Sequence, residues 1–84
     1  MSDADLSLLN NLTAALILAP SRWADLVSDA RRWASTPALR AALDALADAF
    51  AEGAPDPAAV AVDLRAAHPE AARALAWNAE RLCP

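Results

Sequence analysis

Residues 36–50 read TPALRAALDALADAF. Leu39, Leu43, Leu46 and Phe50 recur at steps of four, three and four, the period of one face of an α-helix rather than the alternation of a strand. Thr36 supplies a side-chain oxygen for an N-cap, and Pro37 behind it has its φ preset for the first helical position. The opposite side carries Arg40, Asp44, Asp48 and Glu52 at four-residue intervals, so the segment is amphipathic with a charged outer stripe. A helix over 37–52 follows.

The same punctuation recurs along the chain. Prolines 20, 37, 57 and 69 each stand where a new helical pattern begins. They predict helices over 20–34, 37–52, 57–67 and 69–82, preceded by a first helix over 3–19 that opens on Ser2 with Asp5 three residues later, a capping box with aspartate in the glutamate position. Gly53, the only glycine, closes the third helix.

In the first helix Leu9, Leu12, Leu16 and Ala19 share a face, flanked by Leu6 and Leu8 and widened by Ile17 and Leu18. Asn10, Asn11 and Thr13 mark the remaining side. A helix apolar over so much of its circumference is expected at the centre of a bundle or shared with another chain. The second helix turns Trp23, Leu26, Val27, Ala30 and either Trp33 or Ala34 inward. The fourth does so with Val60, Leu64 and Ala67, and the fifth with Ala72, Leu75, Ala79 and Leu82. No segment combines strict alternation with β-branched enrichment; AVAVDL, residues 59–64, comes nearest, and its proline start favours a helix. The expected fold is all-α, a compact antiparallel bundle of about five short helices forming a single domain over residues 1–84.

A chain of 84 residues buries a limited core. Thirteen leucines, Phe50, Ile17, three valines and the tryptophans carry the burial; the alanines add little. One cysteine permits no internal disulfide, so self-association or docking on a larger partner is a natural source of further stability.

The net charge of −4 comes from eleven acidic residues against seven arginines with no lysine. That field repels nucleic acid and anionic lipid. The N-terminal segment lacks a basic start and an unbroken apolar run, so it does not read as a secretory signal, and its apolar stretch Ala14 to Ala19 is too short to cross a bilayer. The chain is expected to be cytoplasmic, without nucleic-acid or membrane partners, and either whole or the N-terminal part of a longer protein.

Chemical motifs are sparse. His68 has no second ligand or orienting carboxylate nearby and precedes Pro69, which makes it a corner between helices. Cys83 has only Arg81 close by and reads as an unactivated thiol. A single glycine excludes phosphate-cradling loops, and one histidine with one cysteine excludes the usual zinc spacings. No catalytic residue, cofactor or metal site is expected, and the chain is read as a non-enzyme.

Binding to another protein is the remaining class of function. Trp33 beside Arg31 and Arg32, and Trp77 between Arg73 and Arg81, have the aromatic and arginine make-up of interface anchors. The alternative is that these arginines stack over the rings and shield them. At about 100° per residue Trp77 lies roughly 200° from Leu75, away from the inner face of its helix. The leading expectation is a small adaptor or recruitment module. A second reading is an acidic inhibitor, of the antitoxin, anti-sigma or phage-encoded kind, that presents Asp44, Asp48 and Glu52 to a basic surface. In a third, helix one pairs with its copy in a homodimer through Leu8 and Leu18.

Overall fold

Local caps set where the helices begin. The computed structural model describes residues 1–51 and 55–82. Helix α1 spans Asp3–Leu18, and both halves of its capping box form: the Asp5 amide donates to Ser2 Oγ at 3.2 Å and the Ser2 amide to Asp5 Oδ2 at 3.4 Å. Helix α3, Pro37–Phe50, is capped by Thr36, whose Oγ1 accepts from the Leu39 amide at 3.2 Å. Helix α4, Pro57–Leu64, is capped by Asp56, whose Oδ1 accepts from the Ala58 amide at 3.2 Å. Thr36→Ala should lower stability by about 1 kcal/mol in urea unfolding, since it orphans a donor of the helix that carries the largest share of the core.

Pro20 behaves differently. The expected helix over 20–34 is divided into a 3₁₀ turn, Pro20–Arg22, and helix α2, Trp23–Arg32. Ala19 precedes that proline and has no side-chain acceptor, so the orphaned amides are met by tightening: the Arg22 amide donates to the Ala19 carbonyl at 3.0 Å. The end of α2 tightens in the same way, with Trp33 donating to Ala30 and Ala34 to Arg31, and the α-helix stops before 34. Helix α5 spans Pro69–Leu82.

The fourth helix also stops early, at Leu64 instead of 67. Pro69 keeps His68 out of the helical region, and residues 65–67 turn so that the His68 amide donates to the Leu64 carbonyl at 2.8 Å. His68 is thus the corner between α4 and α5, and its own carbonyl accepts from Ala72 at 3.0 Å. The first helix ends one residue short of 19. Glu52 and Gly53, expected at the close of the third, lie outside the described residues, as does Cys83.

These five α-helices form an all-α bundle. In space the packing order is α4, α5, α1, α2, α3, which puts α1 in the middle. One apolar cluster runs through all five helices, built on Leu9, Leu16, Leu39, Leu43, Leu46, Phe50 and Leu75, all essentially sealed from solvent. Trp23 and Leu26 are half-buried against it. Ala67 is exposed, because it lies beyond the shortened α4, and Ala61 is buried on that helix instead. Where the second helix offered Trp33 or Ala34, Ala34 is buried and Trp33 is not. No helix among the described residues is long and apolar enough to cross a membrane.

The polar side assigned to α1 is the main correction to its reading. Thr13 is fully buried and Asn10 half-buried; only Asn11 is exposed. Both buried groups meet Asn78 of α5, whose Nδ2 lies 2.8 Å from Thr13 Oγ1, 2.9 Å from the Asn10 carbonyl and 3.1 Å from its own helix at the Ala74 carbonyl. Thr13 donates its hydroxyl proton back to the Leu9 carbonyl at 2.8 Å, so it accepts from Asn78. A polar node with every member partnered fixes the register of α1 on α5.

Candidate functional site

The anchors read from the sequence fall into two groups with different surroundings. Trp33 caps the end of α2 and is 76% exposed. Its neighbour Arg31 does not cover it, since the Arg31 guanidinium pairs with Asp44 of α3 on the surface. Arg32 is exposed. Among the described residues no guanidinium stacks on Trp33.

That ion pair also bears on the acidic stripe. Asp44 shares its charge with Arg31, Asp48 is exposed, and Glu52 lies outside the described residues. Both paired side chains are about half exposed, so the bond contributes at most about 1 kcal/mol. Among the described residues no three His, Cys, Asp or Glu side chains gather as a metal site.

The second group is drawn together. On α5 the Arg81 guanidinium sits over the Trp77 ring, 5.5 Å from its centroid. The ring nevertheless remains 55% exposed. Stacking therefore covers part of the indole and leaves the rest to solvent. Trp77 and Arg73 together form a ridge between two surface grooves. On one side, a groove of about 520 Å³ runs between α5 and the start of α1, walled by Met1, Leu6 and Asn10. On the other, a groove of about 910 Å³ runs between α4 and α5. Its floor is alanine, at positions 61, 72 and 79, and Val62 and Arg65 rise from the α4 side.

Met1, Leu6, Val62 and Trp77 are all exposed large apolar side chains bordering this ridge. Three exposed apolar side chains flanking one guanidinium-stacked indole make an apolar cluster of the kind that marks contact sites. Sequence reasoning found Trp77, Arg73 and Arg81 from helical angle and spacing, and missed Val62, Arg65, Met1 and Leu6. Val62 was legible in principle, since with Val60 and Ala61 turned inward on α4 it falls on the outer side. The approach of α1 and α4 to the same ridge is tertiary and has no local signal.

No protein-family model, curated protein or solved structure matches the chain.

Proposed function

We propose that the chain is a protein-protein interaction module that docks a protein partner on the outer face of α5, with Trp77 as the anchor and Arg73 and Arg81 beside it. The observation that carries this reading is an indole more than half open to water, stacked under the Arg81 guanidinium and bordering two grooves beside exposed Met1, Leu6 and Val62. A tryptophan and arginines at the centre of an apolar surface are the residue types that supply most of the energy at protein interfaces. Trp33 is more exposed, yet it lacks a stacked guanidinium and stands beside an arginine already committed to Asp44.

The acidic-inhibitor reading has less support, because Arg31 offsets the first carboxylate of its stripe. The test is affinity capture from the native host on immobilised wild-type, Trp77→Ala and Trp33→Ala chains. Trp77→Ala should lose the specifically retained protein with at least about a tenfold fall in affinity, as for removal of an interface anchor. Trp33→Ala should retain it. Retention by Trp77→Ala at the wild-type level refutes the choice of surface.

A further inference from the structure

We propose that the occupant of this face is a second copy of the chain, docked antiparallel along α5 about a two-fold axis that passes between Ala76 and Trp77. The inference rests on the reading that Trp77 is a docking residue and names what docks there.

Three observations lead to it. At about 100° per residue Pro69, Arg73, Ala76, Trp77 and Glu80 fall within about 100° of arc, and all five are exposed and line the α4–α5 groove. They form one narrow outward seam. Arg73 and Glu80 stand two turns apart on it, about 10 Å at 1.5 Å per residue, too far to pair within the helix. Neither forms an ion pair among the described residues.

The pattern is self-complementary. When a second α5 lies antiparallel across the first, Arg73 comes opposite Glu80 of the second copy, and the two-fold axis repeats the pair with the roles exchanged. Between those pairs, Trp77 comes opposite Ala76 of the second copy, twice. The missing bulk at alanine gives the indole a hollow to fill, as a ridge packs into a groove. Such a contact is isologous and closed, so it ends at a dimer.

Charge distribution favours the same partner. Residues 57–82 carry Arg65, Arg73 and Arg81 against Asp63, Glu70 and Glu80, which balance. The whole net charge of −4 therefore resides in the rest of the chain. Two copies meet through α4 and α5 without net repulsion between the contacting segments, whereas α1, with Asp3 and Asp5, and α3, with Asp44 and Asp48 against Arg40, are each net acidic.

Sedimentation velocity of the full chain at micromolar concentrations, with circular dichroism as the control for folding, tests the assignment. The wild type should show a monomer–dimer equilibrium. Arg73→Glu and Glu80→Arg, each alone, place like charges opposite one another and should weaken the dimer by at least about tenfold. An equimolar mixture of these two variants should recover dimer, because every pair across the axis is then of opposite sign. The double variant Arg73→Glu/Glu80→Arg should recover it too. A mixture that stays monomeric, or single variants that dimerise like the wild type, overturns the proposal, as does a wild type that stays monomeric. If the wild type is monomeric while Trp77→Ala still loses a captured foreign protein, the second copy is wrong and the docking face stands. If neither association nor capture depends on Trp77, both fall.

Discussion

Asn78→Asp should cost about 3–5 kcal/mol, the largest loss expected from any isosteric change in the chain, because it places a carboxylate where the fold supplies acceptors. The Asn78 Nδ2 group faces the Asn10 and Ala74 carbonyls and Thr13 Oγ1 within 3.1 Å, in a site 1% exposed. A carboxylate oxygen there meets two carbonyl oxygens and a hydroxyl whose proton is already given to Leu9. Only by breaking that bond can Thr13 turn to help. A domain of this length has a total stability of about 4–13 kcal/mol, so much of it is removed by one atom exchange.

Asn78→Ala removes the same donors without introducing charge and should cost about 1–3 kcal/mol. The two variants separate by pH. The introduced carboxyl has its folded pKa raised above its unfolded value of about 3.9, since burial and facing carbonyls oppose ionisation. Its penalty relative to wild type is full above the raised value and shrinks as pH falls toward about 4, where a proton restores one O–H donor. The gap between Asn78→Ala and wild type should not change over that range. Urea unfolding followed by circular dichroism at several pH values measures both gaps. Equal, pH-independent losses in the two variants contradict the donor role of Asn78.

That node also marks the boundary of what sequence reasoning reaches. Caps with a side-chain acceptor followed by proline, at Thr36-Pro37 and Asp56-Pro57, are legible because the oxygen and the fixed φ act within one turn. Pro20 is over-read as an α-helix start for the same local reason: Ala19 offers no oxygen, and the turn becomes 3₁₀. At the α4–α5 corner the pre-proline restriction is legible, while the three-residue turn needed to bring α5 back over α4 is not. Thr13 and Asn78 stand 65 residues apart, and each alone looks like a solvent-facing polar residue. Their burial follows from each being the other's partner. The outward direction of Trp77 follows from helical angle, whereas its neighbours Val62 and Leu6 reach it through the packing of three helices.

The four aromatic residues make the last distinction quantitative. Phe50 is 1% exposed and heads the fully buried side chains by size, at the end of α3 where Leu39, Leu43 and Leu46 share its face. Phe50→Ala should cost about 3–5 kcal/mol, since transfer free energy is lost and the surrounding leucines close the cavity only in part. Phe50→Leu keeps most of the volume and should cost less than about 1.5 kcal/mol. For Trp77→Ala the ring already stands largely in water, and the loss is confined to its stacking with Arg81 and a little packing, about 1 kcal/mol or less. Thermal and urea unfolding of the three variants should therefore rank Phe50→Ala far below the others. The ranking matters for function as much as for stability: a Trp77→Ala chain that keeps its fold but loses association has lost a surface. One that unfolds as readily as Phe50→Ala has lost a core residue, and the docking face on α5 is then withdrawn.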